Sequence, residues 1–162
     1  MSLPMTQYPT YEVNLPSDGK TIAFRPFLVK EEKVLLMAIQ EGSESSMLNA
    51  IKLIINSCPF GKVDSNKIPL VDMEYLFLQI RSKSVGEIIE STVTCVKCEK
   101  DSDYNIQLDN IQVVKALDID RNVKISGNRI VTMTYPSMDF IEAAKKETTE
   151  VDQTILMLAL CM

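Results

Sequence analysis

Histidine is absent from this chain of 162 residues, and glycine is scarce, with five residues. Without histidine, neither a Ser-His-Asp nor a Cys-His catalytic arrangement can form within the chain, and the commonest general base is missing. No Walker loop and no GxGxxG motif is present, so no phosphate cradle is predicted. Carboxylate pairs such as Glu31 and Glu32 lie on ordinary helix faces, where a solvated surface is the simpler interpretation. The sequence therefore predicts that the chain is not an enzyme.

Long apolar runs and basic patches are also lacking. No apolar run approaches the length of about 20 residues that crosses a bilayer, and the N-terminal pattern predicts no secretory signal. Four cysteines are too few for a disulfide scaffold of this size, so a reducing intracellular setting is expected. The net charge is −5, with acidic and basic residues interspersed. A nucleic-acid partner is therefore not expected, because phosphate-binding surfaces concentrate Lys and Arg on one face.

Hydrophobic periodicity predicts an α+β fold, a single domain over residues 1–162 with a small β subdomain at 85–135. The predicted elements are an N-terminal β-hairpin (11–15 and 21–25), a three-helix cluster (29–41, 44–57, 72–84), antiparallel β-hairpins (87–94 with 104–108, then 122–126 with 129–134) and C-terminal helices (137–146 and from 151). The N-terminal hairpin could pair with the later strands. The first helix is apolar nearly all round over Val34–Ile39, which predicts burial on more than one side. Because the apolar helical pattern is unbroken at Met162, continuation beyond it is expected.

The pair Cys95-Val-Lys-Cys98 is the most specific chemical motif, and it falls at the tip of a predicted hairpin. A zinc-ribbon-like knuckle presents two thiolates in this way, but a complete zinc site needs about four ligands. Cys58 with an acidic neighbour, or a second chain, could supply the others. The alternative is a turn without metal, carrying two reduced thiols. Apart from possible zinc no cofactor is predicted, and a thioredoxin-type role is disfavoured because no helix begins at the pair.

Two surfaces are candidates for contacts with other proteins. On the predicted helix 72–84, Tyr75 and Leu78 fall off the main apolar stripe, which favours partial exposure; burial in the core is the alternative. The hairpin tip with Cys95 and Cys98 is the second candidate, and a solvated loop is its alternative.

Three segments resemble a known family when taken together and in order. They are FRPFLVKEEKVLLMA (24–38), IPLVDMEYLFLQIRSKSVGE (68–87), and the Cys95–Cys98 hairpin followed by Tyr135-Pro136-Ser137. From about residue 15 to residue 162 the chain resembles the baseplate protein family of T-even-like contractile-tailed bacteriophages, specifically the baseplate hub subunit.

The resemblance implies a late viral structural or assembly protein of the central hub of the tail baseplate, acting through contacts with other hub and tail proteins. It implies no catalytic residues, and it places the chain in the bacterial host cytoplasm during assembly and in the virion tail baseplate. It leaves the oligomeric state open. A different class of function is a small zinc-ribbon adaptor that binds nucleic acid or a transcription or replication partner. That adaptor would need bound zinc and a basic face around Lys97 and Lys100.

Overall fold

The computed structural model describes residues 8–113, 120–125, 127 and 129–162. Within these ranges the α+β prediction is confirmed, with five α-helices and three small antiparallel hairpins. The elements are β1 (Tyr11–Asn14), β2 (Thr21–Phe24), α1 (Val29–Glu41), α2 (Glu44–Ser57), α3 (Leu70–Val85), β3 (Ile88–Thr94), β4 (Asp101–Gln107), a 3-10 turn (Leu108–Asn110), β5 (Asn122–Ile125), β6 (Arg129–Thr132), α4 (Met138–Ala144) and α5 (Glu150–Leu160).

Each hairpin forms its own two-stranded sheet: β1 with β2, β3 with β4, and β5 with β6. The expectation that the N-terminal hairpin could pair with later strands is therefore wrong for the strands that the structure describes. The physical reason lies in the core, because the apolar side chains Val13, Ile22 and Phe24 of this hairpin pack against helices instead. Gly19 closes the β1–β2 turn at a φ of 75°, a left-handed value that glycine adopts without strain.

One hydrophobic core joins the first hairpin to α2, α3 and the start of α4. Its buried members are Val13, Leu15, Ile22, Phe24, Ile54, Ile55, Cys58, Ile68, Met73, Leu76, Ile80 and Met138. None of these residues belongs to β3, β4, β5 or β6, as far as those strands are described. The β subdomain at residues 85–135 stays a prediction, and the core itself is built by the helices and the first hairpin.

Helix α1 departs from the predicted burial. Its bounds match the prediction, and Gly42 ends it with a φ of 68°. Its buried residues, however, are Glu31 and Ala38. The apolar side chains Leu36, Met37 and Ile39 are each more than half exposed. The expectation of burial on more than one side is wrong because α1 packs along α2 on one side only. Periodicity shows that a helix is apolar, but it does not show how many neighbours cover it.

Glu31 is not a solvated surface carboxylate, and the interpretation of that position from sequence is wrong. Its side chain is buried and forms a two-pronged ion pair with Arg25: Nη1 donates to Oε2 at 2.9 Å and Nη2 donates to Oε1 at 2.8 Å. Oε2 also accepts the backbone N–H of Leu28 at 2.7 Å, which caps the start of α1 where the leucine side chain cannot. The hydrogen bond from Arg25 lowers the pKa of Glu31, so the carboxylate stays charged in the core.

Asp72 ties the turn of the first hairpin to the start of α3. Its carboxylate is buried, and it accepts the backbone N–H of Ser17 at 2.8 Å and the Ser17 hydroxyl.

We expect Asp72→Ala to lower the free energy of unfolding by about 1–3 kcal/mol, because two donors lose their acceptor. Urea unfolding would measure this. The exposed neighbour Glu74→Ala is the control, with an expected change within about 0.5 kcal/mol; equal effects of the two changes would contradict the role of Asp72.

Candidate interaction surfaces

The β3–β4 hairpin stands largely clear of the core. Seven residue pairs join its strands, from Ile88 opposite Gln107 to Thr94 opposite Asp101. Within both strands only Ile89 and Ile106 are half-buried, and the other side chains are exposed. A seven-residue strand spans roughly 20 Å, so the tip lies well beyond the hydrophobic core.

Local backbone contacts hold the tip in a defined turn. The Cys95 N–H donates to the carbonyl of Lys100 at 3.0 Å, and the Glu99 N–H donates back to the carbonyl of Cys95 at 2.8 Å. Glu99 has a φ of 55°, a left-handed conformation that the hairpin imposes on a residue other than glycine. Cys95 and Cys98 are both free thiols and both exposed. The predicted position of the pair at a hairpin tip is thus the observed one.

The pKa of the Cys95 thiol is lowered by its neighbours in the turn. Hydrogen bonding from the backbone N–H of Lys97, then from that of Cys98 and from the Cys98 thiol, lowers the pKa of Cys95. Donors that face a sulfur favour its thiolate form, which is the form that binds metals. Cys95 and Cys98, two exposed thiols in one turn, are the candidate two-sulfur half-site of the hairpin tip.

Cys58 lies elsewhere, at the end of α2 in the hydrophobic core. Its side chain is fully buried, and burial is the main cause that raises the pKa of its thiol to about 11. Arg25 Nη1 lies 3.8 Å from its sulfur. Within the described ranges, no three Cys, Asp, Glu or His side chains lie together as a metal site would require. The structure therefore does not bring Cys58 to Cys95 and Cys98.

Tyr75 and Leu78 on α3 are half-buried. Tyr75 packs against the hydrophobic core cluster. Their role in contacts with other proteins stays a prediction. The apolar residues that α3 buries deeply are Met73, Leu76 and Ile80, which carry the apolar stripe.

Two larger apolar surfaces were missed by the sequence interpretation. The outward face of α1 consists of Leu36, Met37 and Ile39, and the α5 stripe consists of Val151, Ile155 and Leu158; each of these side chains is more than half exposed. In α5 the spacing of four and then three residues places the stripe on one side of the helix, and α5 itself buries no residue. That spacing is visible in the sequence, but only the structure shows that no neighbour covers it among the described residues.

The comparison with protein families identifies the chain. The model of the family described as "T4 bacteriophage base plate protein" matches residues 8–162. The chain belongs to this family. Comparison with curated proteins and with solved structures gave no match. The resemblance seen in the sequence is thus confirmed at the level of the base plate family.

Membership of the base plate family indicates a structural role in a phage tail, with tail proteins as partners, rather than catalysis. None of the helices in the described ranges is long and apolar enough to cross a membrane.

One open groove of about 400 Å³ sets Asp18 and Asp139 beside Lys67 and Arg121. Its lining thus carries two acidic and two basic side chains.

Proposed function

We propose that this base plate family member is a structural and assembly component of the central hub of the phage tail baseplate. It acts through contacts with other hub and tail proteins, in the bacterial host cytoplasm during assembly and in the baseplate of the virion tail. The observation that carries the proposal is the outward face of α1, an uncovered apolar surface on a chain whose family match spans residues 8–162. Contiguous exposed apolar surface of this kind marks protein contacts.

A zinc-ribbon adaptor that binds nucleic acid gains less support from the hairpin tip. Lys97 and Lys100 are exposed, but Glu99 and Asp101 beside them are exposed as well. The tip is therefore close to neutral, whereas a nucleic-acid surface concentrates positive charge. The chain as a whole carries a net charge of −5, which adds to the repulsion of phosphate.

Co-purification tests the assembly role. The full chain, carrying an affinity tag, is expressed in host cells together with the other baseplate and tail proteins, and captured proteins are identified by mass spectrometry. We expect a hub or tail protein to be captured. The double substitution Leu36→Ser with Ile39→Ser should reduce that capture by about tenfold or more, because centrally placed apolar contacts carry most of the energy of an interface.

The matched control substitutes two polar residues that are also exposed on α1, Glu32→Gln with Gln40→Ala. We expect this control to capture as much partner as the unmodified chain. Both double variants should unfold at the same temperature as the unmodified chain, because none of the four side chains is buried. If no hub or tail protein is captured by the unmodified chain, the proposed function is wrong.

A further inference from the structure

The Cys95/Cys98 half-site lacks the rest of a metal site. A closed zinc site takes four ligands, and cysteine thiolates in a tight turn are typical of structural sites. Both thiols are exposed, and the turn that carries them is closed by two backbone hydrogen bonds, from the Cys95 N–H to the carbonyl of Lys100 at 3.0 Å and from the Glu99 N–H to the carbonyl of Cys95 at 2.8 Å.

The remaining two ligands do not come from the described part of the same chain. There, no group of three Cys, Asp, Glu or His side chains could hold a metal ion. Cys58 is fully buried in the core, and Cys161 is buried at the end of α5. With no further ligand near the tip among the described residues, we look for the other two ligands of a four-coordinate site on another molecule.

A second copy of the chain is the partner that the geometry favours. A two-fold axis through the metal would place the same two thiols of the second copy on the opposite side of the ion. The four thiolate ligands would then come from the same surface of each copy. The β3–β4 hairpin is exposed on both faces, so two tips can meet while the two cores stay apart. The exposed charged residues at the tip are two lysines and two acids, Lys97, Lys100, Glu99 and Asp101, so the tip itself carries no net charge that would repel a second copy.

We propose that two copies of this chain bind one zinc ion between their β3–β4 hairpin tips, with Cys95 and Cys98 of each copy as the four ligands. Each thiol loses its proton to solvent as its sulfur binds the ion, so no oxidant or reductant takes part. Four thiolates give the zinc centre a negative charge, and in each tip the lysines Lys97 and Lys100 lie next to the ligands in sequence, together with the acids Glu99 and Asp101. The zinc site does not depend on the assembly role, and its test needs no other baseplate protein.

Zinc titration of the purified full chain tests the proposal. The protein is stripped of metal, kept reduced with a phosphine, and titrated with Zn²⁺ alone, while its mass is measured by light scattering and its zinc by elemental analysis. We expect a monomer without zinc and a dimer with one zinc per two chains, reversed by a chelator. The same titration with Co²⁺ should give the visible absorption of a tetrahedral cobalt thiolate.

Two variants test whether zinc binding requires the two thiols themselves or only the turn that carries them. Cys95→Ser with Cys98→Ser should abolish both zinc binding and the dimer, while the circular dichroism spectrum and melting temperature stay unchanged, because both thiols are exposed. Val96→Ala, at the fully exposed position between them, should leave both intact. One zinc bound per monomer, no zinc bound, or a dimer that persists in the double cysteine variant would each overturn the proposal. Zinc bound only when a hub or tail protein is added would overturn the pairing of two copies.

Discussion

Replacing Arg25 with methionine is expected to lower the free energy of unfolding by about 3–5 kcal/mol, the loss typical when one partner of a buried ion pair is removed. Arg25 and Glu31 are both buried, and the guanidinium makes two hydrogen bonds to the carboxylate. Without Arg25, the charge of Glu31 stays in the core, and among the described residues only the Leu28 N–H then donates to its carboxylate. Urea unfolding at neutral pH, monitored by circular dichroism, would measure the loss.

The matched control removes a cation from an exposed pair. Lys145 donates to Glu44 at 3.2 Å, with both side chains more than half exposed, so Lys145→Met should change stability by less than about 1 kcal/mol. A loss at Arg25 no larger than the loss at Lys145 would contradict the structural role of the buried pair.

The pH dependence of the same pair follows from the lowered pKa of Glu31. A carboxylate whose pKa is lower in the folded state stabilises the fold above its unfolded pKa, about 4.3 for glutamate, and this contribution is lost as the pH falls through the folded value. In the Arg25→Met variant that contribution is already missing. The difference in unfolding free energy between the two proteins should therefore be largest near neutral pH and shrink in acid. A difference that grows as the pH falls would contradict this assignment.

Leu76→Ala is expected to lower the free energy of unfolding by about 2–5 kcal/mol, the usual range for a leucine removed from a packed core. Leu76 is fully buried in the cluster that joins the first hairpin to α2 and α3. The substitution leaves a cavity where the first hairpin, α2 and α3 meet, so the packing of all three elements is weakened. Thermal and urea unfolding of the purified chain would measure it.

Leu78→Ala on the same helix is the matched control, since it removes the same atoms from a half-buried position. We expect a clearly smaller loss of stability than at Leu76, because less surface leaves the core. Equal losses at the two positions would contradict the observed burial pattern of α3. If Leu78→Ala lowers capture of a hub or tail protein without loss of stability, the predicted interaction role of Leu78 gains direct support.

The elements of the fold could be predicted well where local signals agree. Helix α1 begins and ends where the pattern places it, because charged residues fill its first turn and Gly42 adopts the left-handed conformation that stops it. The hairpin at the cysteine pair was predicted for a similar reason, since a change from helical to alternating periodicity is visible after Val85.

Burial and pairing could not be predicted from the sequence in the same way. Glu31 and Glu32 are adjacent and chemically alike, yet one is buried against Arg25 and the other is exposed. The difference depends on which glutamate faces Arg25 in the folded chain, and the local sequence does not show this. The outward face of α1 was misjudged for the same reason. For the cysteines, the sequence placed Cys95 and Cys98 together, but the direction of α2 carries Cys58 into the core.

The division of the described strands into three two-stranded sheets has a consequence for assembly. Every one of these strands is an edge strand, so each keeps a row of backbone N–H and C=O groups that water satisfies in the isolated chain. In β3 and β4 that row runs for seven residues along each outer side of the hairpin. An extended segment of a neighbouring molecule could replace that water by pairing with the hairpin as a third strand. The affinity of such a contact comes mainly from main-chain hydrogen bonds and depends less on the identity of the side chains.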